Sequence, residues 1–184
     1  MSNNFETALG ELGAVADRID PREMHAAMDM IANARRIVLY GCGREGLQLR
    51  GFAMRLHHLG LDVAMQGDMA TPPVGTGDLL IVSAGPGELA TVTALMRVAR
   101  NAGADVVFLT AVPETPSASL ANCVLTIPAQ TMASDQGKGV TSVLPMGSVF
   151  EGALFLLFEI MVLGLRDRLA VTPEAMRARH TNLE

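Results

Sequence analysis

Hydrophobic residues follow two different spacings along the chain, one typical of helices and one typical of buried strands. Over the first 20 residues they recur every three or four positions, as in an amphipathic helix. Short apolar runs such as Ile37–Tyr40 are instead typical of strands covered on both faces. The pattern predicts helices over 3–18, 21–34, 44–59, 88–102 and 147–169, a short helix after Thr172-Pro173, and strands over 37–40, 61–65, 78–83, 105–110 and 124–127.

The alternation of strands and helices predicts an α/β domain. Its five strands form a parallel sheet with helices on both faces, which gives three layers. We expect one domain over residues 1–184, with N-terminal helices over 1–34, an α/β core over 35–169 and a C-terminal helix and tail over 170–184. Right-handed crossovers bring the carboxyl ends of parallel strands to one edge of the sheet, where such folds bind ligands.

A glycine-rich loop follows the first predicted strand. It spans 41–46 and reads G-C-G-R-E-G, which matches the G-x-G-x-x-G spacing of dinucleotide-binding units, with an acid, Asp68, about 20 residues later. Three features weigh against an NAD site: two helices precede the strand, no substrate domain follows, and Asp68 lies beyond the end of the second strand. The glycines could instead only form a tight turn. A site for a small phosphorylated ligand is the third interpretation.

A second glycine-containing loop, 83–88, favours the interpretation as an anion site. Gly85 and Gly87 let the main chain approach a ligand closely, and Ser83 offers a hydroxyl. From the first loop, Arg44 could supply a positive charge. Glu88 at the predicted start of a helix would compete with an anion, and its alternative role is that of an N-terminal capping acid.

Composition excludes several classes of function. The net charge is −5, no Lys/Arg cluster is present and aromatic residues make up 4%, so nucleic-acid binding is not expected. Cys42 and Cys123 form neither a metal-binding spacing nor a disulfide framework. The N-terminus lacks the pattern of a signal peptide, and the apolar run 150–165 is too short to span a bilayer, so we expect a cytoplasmic protein without a membrane segment.

The polar segment 128–142 is typical of a mobile loop or lid.

Five segments in this order resemble the SIS (sugar isomerase) domain family, and most closely its 6-phospho-3-hexuloisomerases. They are YGCGREG, FAMRLHHLG at 52–60, GDMATPPVGTGDLLIVSAG at 67–85, LPMGSVFEGALFLLFE at 144–159 and RHTNL at 179–183. The resemblance implies a flavodoxin-like strand order and a homotetramer, or a dimer, with active sites at subunit interfaces. It also implies interconversion of 3-hexulose 6-phosphate and fructose 6-phosphate by proton transfer through an enediolate, without a metal or a cofactor.

The resemblance assigns the acid–base roles to Glu151 and His180. Glu151 lies near the start of an apolar helix, where partial burial favours a base. His180, in the C-terminal tail, would act in the site of a neighbouring subunit. Glu159, on the same helix as Glu151, is expected to be a polar residue at an interface.

Both loops depart from the family pattern. Glu45 replaces the serine of the usual G-x-G-R-S-G, and the second loop lacks clear matches for a serine and a threonine of the usual S-G-S-G-R-T. We expect Thr91 or Thr93 to compensate in part for these lost hydroxyls. The predicted substrate-binding residues are therefore Gly43, Arg44, Glu45, Ser83, Gly85, Gly87 and Thr91. The alternatives to an isomerase are a sensor that binds a sugar phosphate without catalysis and, less favoured, an NAD-dependent enzyme.

Overall fold

Strands and helices alternate along the chain as the sequence predicts. The structure, a computed structural model, describes residues 3–183 and, of Lys138, the main chain only. The strands are β1 (Arg36–Gly41), β2 (Val63–Met65), β3 (Asp78–Ser83), β4 (Asp105–Thr110) and β5 (Cys123–Thr126). The helices are α1 (Asn4–Ala16), α2 (Pro21–Asn33), α3 (Gly43–His58), α4 (Ala90–Asn101), α5 (Ser148–Arg168) and α6 (Pro173–Ala178). Met1, Ser2 and Glu184, which the predicted domain includes, lie outside the described residues.

All five strands form one parallel sheet in the order β2-β1-β3-β4-β5. The α/β fold class, the flavodoxin-like order and the helices that precede the first strand are therefore confirmed. In the register of β1 and β3, Gly41 lies opposite Ser83. The chain leaves these neighbouring strands towards opposite sides of the sheet, so the two glycine-containing loops start side by side at the switch point of the fold.

The sheet separates two hydrophobic cores because successive side chains on a strand point to opposite faces. On one face Ile37 and Leu39 pack with side chains of α2, α3 and α5. On the other face Val38 and Leu80 pack with α4. All six residues of β3 are buried, which explains why its sequence is a nearly continuous apolar run.

The predicted start of α4 is wrong. Helix α4 begins at Ala90 and not at Glu88, because Leu89 has an extended main chain (φ −134°, ψ 126°) and is the residue that precedes the first turn. Glu88 therefore lies in the loop and is not a capping acid of α4. Cys42 follows β1 and precedes α3, as its N-cap residue.

Helix α5 is longer than the apolar run that predicts it. Its 21 residues follow a left-handed Gly147 (φ 71°). The segment Pro145–Arg168 is long and apolar enough to cross a membrane by length and composition alone, so the expectation that it is too short is wrong. Half of its most apolar stretch is buried inside the fold, where Val149, Leu157 and Leu165 face the core, as is typical of a core helix.

Candidate active site

The first loop brings the start of α3 directly against the end of β1. A Cβ atom on Gly46 would lie 2.4 Å from the carbonyl oxygen of Gly41, so only glycine allows this contact. Gly43, exposed and with φ 54°, opens the helix. Because the N-cap residue Cys42 makes no side-chain cap, the first turn of α3 keeps its main-chain N–H groups for other partners.

Glu45 reaches from this first turn into the second loop. Its carboxylate accepts a hydrogen bond from the Ser83 hydroxyl and bonds from the main-chain N–H of Gly85, 3.1 Å from each carboxylate oxygen. Burial raises the pKa of Glu45. The hydrogen bonds from Ser83 and Gly85 oppose that rise, and the nearby Glu151 carboxylate adds to it. The donors predicted for a ligand therefore hold a carboxylate of the chain itself.

Arg44 reaches from the first turn of α3 to the start of α5. Its guanidinium donates to Ser148 Oγ, at 2.7 Å, and to the carbonyl oxygen of Met146. One of its nitrogens also lies 3.2 Å from Glu151 Oε1. Arg44 therefore fixes the first turn of α5 to the first turn of α3 and pairs with the predicted base.

Glu151 has two unlike carboxylate oxygens. Oε1 is paired with Arg44, whereas Oε2 is buried and accepts no hydrogen bond from any residue that the structure describes. The side chain as a whole is 16% exposed. Because Oε2 has no donor, its lone pairs are open to a proton from another group, and this geometry is suited to a general base.

The segment 128–142 closes one side of this arrangement. It contains single-turn 3-10 helices at Met132–Ser134 and Gly137–Gly139. Glu11 of α1 accepts hydrogen bonds from Ser142 Oγ (2.5 Å), in the last residue of the segment, and from Val143 N (2.8 Å), just after it. Its Thr131 packs so closely on Gly147 that a Cβ atom there would lie 2.4 Å from the carbonyl carbon of Thr131. The role of this segment as a mobile lid stays a prediction.

The other predicted residues of the second loop lie further along it. Gly87 has φ 89° and packs against Thr115. Glu88 is exposed and accepts a long hydrogen bond, 3.4 Å, from the Ser117 hydroxyl. Thr91 is exposed in the first turn of α4. The contribution of Gly87 and Thr91 to substrate binding stays a prediction.

His180 lies at the opposite end of α3 from the other predicted residues. Its ring stacks on that of His58, with centroids 5.3 Å apart, and the neighbouring Arg179 donates to the His58 carbonyl oxygen. From Arg44 to His58 the helix rises about 20 Å, at ~1.5 Å per residue. Within one chain His180 and Glu151 therefore do not form one site, and the prediction that His180 acts in a neighbouring subunit stays a prediction.

Sequence reasoning missed Ser148, Thr131 and Phe150 as neighbours of the site. Ser148 and Phe150 stand in the quoted segment 144–159, but only the fold shows that Ser148 anchors Arg44. Thr131 and Phe150 both come within about 3.1 Å of the position that a Cβ atom on Gly85 would take. In the described part of the chain, no cluster of His, Cys, Asp and Glu is arranged to hold a metal ion.

Comparison with known proteins identifies the family. A model of the SIS domain matches residues 30–156. The chain belongs to the SIS domain family. It is 36% identical over 184 residues to a 3-hexulose-6-phosphate isomerase of Mycobacterium gastri, a match that spans all of this chain and 92% of that protein. It is 33% identical over 177 residues to a 3-hexulose-6-phosphate isomerase of Bacillus subtilis (strain 168), across 96% of this chain and 95% of that one.

A solved structure supports the same SIS fold. The crystal structure of a protein of Methanococcus jannaschii, from which a molecular function of 3-hexulose-6-phosphate isomerase was inferred, superposes with a TM-score of 0.84 over 98% of each chain. At 23% identity this likeness is evidence for the fold. The matched SIS segment 30–156 includes both glycine-containing loops and Glu151, whereas His180 lies beyond it.

Proposed function

We propose that this chain is a sugar-phosphate isomerase that interconverts 3-hexulose 6-phosphate and fructose 6-phosphate through an enediolate. The observation that carries the proposal is the state of Glu151, with Oε1 held by Arg44 and Oε2 buried without a donor among the described residues. The names of the relatives from Mycobacterium gastri and Bacillus subtilis support this choice of substrate. The proposed ligand is therefore a phosphorylated sugar.

The proposed reaction needs one base that removes a proton and returns it to the next carbon. In the forward direction Glu151 Oε2 takes the proton from C2 of the 3-hexulose, next to the C3 carbonyl, and the electron pair of the broken C–H bond moves through the new C2–C3 double bond to the carbonyl oxygen. Transfer of the C2 hydroxyl proton to the C3 oxygen, together with return of the first proton to C3, leaves the carbonyl at C2 and gives fructose 6-phosphate. Arg44 orients the carboxylate, and no metal or redox group is required.

A neighbouring subunit is part of the proposal, because His180 cannot reach Glu151 of its own chain. An apolar surface on α1 and α5 supports association of subunits. Phe155 is 61% exposed and Leu163 is 49% exposed. Beside them a groove of about 320 Å³ is lined mainly by apolar side chains, among them Leu12, Ile19, Met24, Leu156 and Ile160. A homotetramer, like a cytoplasmic location, stays a prediction, and sedimentation velocity would measure the oligomer directly.

Deuterium exchange tests the proposal. Fructose 6-phosphate is incubated with the protein in deuterated water, and NMR follows the appearance of deuterium at C3, the carbon beside the carbonyl to which the proposed reaction returns the proton. We expect exchange with the wild type and a loss of about 100-fold or more with Glu151→Gln. Glu159→Gln is the matched control. It removes a carboxylate from the same helix, one that pairs with Arg55 at 3.0 Å, and should keep the wild-type rate.

The outcomes separate the candidate functions. Exchange that depends on Glu151 supports the isomerase. Binding of fructose 6-phosphate without exchange, seen as a thermal shift, would overturn it in favour of a sensor. If neither occurs, fructose 6-phosphate is not the ligand and the proposed substrate is wrong.

A further inference from the structure

The side chain of Glu45 occupies an anion site of its own protein. The site consists of the Ser83 hydroxyl and the Gly85 N–H, which both donate to the Glu45 carboxylate. Ser83 is completely buried, at 0% exposure. While Glu45 is in place, its carboxylate takes the hydrogen bond that this hydroxyl could otherwise donate to a ligand.

The site has room for one anionic group. A Cβ atom on Gly85 would already meet the ring of Phe150 and the methyl group of Thr131 at 3.1 Å and a Glu45 oxygen at 3.2 Å. Phe150 is 1% exposed, so this wall is apolar and well packed. A second anion beside the carboxylate would lack both space and donors.

No cationic side chain among the described residues offsets the Glu45 carboxylate directly. The structure gives it no ion pair with any described side chain, and Arg44, its neighbour in sequence, is paired with Glu151 instead. A phosphate dianion that approached Ser83 and Gly85 would therefore meet a competing acceptor and a like charge.

We propose that Glu45 is a specificity-determining residue that acts as an internal competitor of phosphate, so that a phosphate group binds Ser83 and Gly85 only by displacing the Glu45 side chain. For a sugar phosphate, this displacement is part of binding and lowers the affinity. The inference rests on the proposed function only for the identity of the ligand's anionic group.

Titration calorimetry with inorganic phosphate tests this role. We expect Glu45→Gln, in which a neutral amide remains a weaker acceptor, to bind phosphate about tenfold more tightly than the wild type, and Glu45→Ala to bind more tightly still. Glu88→Gln is the matched control. It removes an exposed carboxylate of the second loop that has no hydrogen-bond partner among the described residues other than Ser117, and it should leave the affinity close to that of the wild type.

A double variant tests whether the added affinity for phosphate depends on the Ser83 hydroxyl. In Glu45→Ala/Ser83→Ala the added affinity for phosphate should be lost, because one of the two donors is gone. An affinity that does not rise without the Glu45 carboxylate, or a gain that survives the loss of Ser83, would overturn the inference. Circular dichroism and thermal unfolding confirm that each variant is folded.

The result is independent of turnover. Phosphate binding that improves as expected, without deuterium exchange in fructose 6-phosphate by the wild type, would refute the proposed function and leave the inference intact. Exchange by the wild type, with no gain of phosphate affinity in the Glu45 variants, would refute the inference alone.

Discussion

Arg44 and Glu151 form an ion pair between the first turns of α3 and α5, with 3.2 Å between the guanidinium and Oε1. The same guanidinium is anchored by Ser148 Oγ and the Met146 carbonyl oxygen. The pair leaves Glu151 Oε2 free to accept a proton. Arg44 therefore acts on the proposed reaction through the orientation of the base.

Replacement of Arg44 should impair turnover more than binding. For Arg44→Ala we expect kcat for fructose 6-phosphate to fall about 10- to 100-fold, since a misplaced base reacts slowly, with a smaller change in KM. Arg44→Lys should recover only part of the loss, because an ammonium cannot reproduce the fork of a guanidinium. Steady-state kinetics measures both constants.

The control for Arg44 is Arg50→Ala on the same helix. Arg50 makes an exposed contact with Asp68, at 3.6 Å, and its loss should leave both constants near the wild-type values. A rise of KM with unchanged kcat in Arg44→Ala would contradict the orienting role, and would indicate that Arg44 binds the phosphate.

Two glycines of α3 should respond to alanine in opposite ways. Gly46→Ala would place a Cβ atom 2.4 Å from the Gly41 carbonyl oxygen, and we expect a loss of about 2 kcal/mol or more in the free energy of unfolding. At Gly51 no atom outside its own stretch of helix lies within 4 Å of the new Cβ atom, so Gly51→Ala should gain about 0.5–1 kcal/mol. Urea unfolding measures both, and equal effects at the two positions would contradict this expectation.

The order of the elements and the layers could be predicted from the sequence because they depend on local periodicity. The apolar runs of β1 and β3 show that both strands are covered on both faces, and the two glycine-containing loops could be placed at one edge from the topology of parallel sheets alone. The start of α4 could not be predicted from the sequence, because it depends on the extended main chain of Leu89.

The contact between Glu45 and Ser83 could not be predicted either. The two residues are 38 positions apart, and they meet because Gly41 and Ser83 are paired in the register of the sheet. Sequence reasoning identified both as site residues that face a ligand. The carboxylate of Glu45 instead accepts the hydrogen bond of Ser83. This contact depends on side-chain conformations, which the pattern of hydrophobic and polar residues does not determine.

Asp78 should stabilise the fold in a pH-dependent way. Its buried carboxylate accepts hydrogen bonds from Arg35, at 2.8 and 2.9 Å, and from Gly75 N. The hydrogen bonds to Arg35 hold the pKa of Asp78 below its usual value. Since the pKa is lower in the folded chain, the stabilisation is complete above the unfolded-state pKa of about 4 and is lost as the pH falls through the folded-state value.

We therefore expect Asp78→Asn to lower the free energy of unfolding by about 1–3 kcal/mol at pH 7, and by less as the pH falls below about 4. Asp62→Asn is the matched control, because Asp62 pairs with Arg36 at 2.8 Å but is 54% exposed, and its loss should cost less than about 1 kcal/mol. Urea unfolding at a series of pH values measures both. An effect of Asp78→Asn that stays constant with pH would contradict this role of the charge.

The two predicted catalytic residues should complement each other between subunits. Glu151→Gln and His180→Ala are each expected to be inactive. When the two variants are co-expressed with different tags, a site that takes Glu151 from one chain and His180 from its neighbour is intact only if each chain supplies its unaltered residue. With random assembly this holds for about one site in four, so the whole co-expressed mixture, without separation of the mixed oligomers, should recover roughly a quarter of the wild-type activity.

The same mixture distinguishes a shared site from a site within one chain. If Glu151 and His180 acted together in one subunit, every site would carry one inactive residue and no activity would return. Within one folded chain the two residues lie at opposite ends of α3, about 20 Å apart along the helix, so they cannot be in direct contact there. A mixed oligomer without activity would therefore show that His180 has no direct part in proton transfer, and its stacking on His58, with centroids 5.3 Å apart, would remain as its structural role.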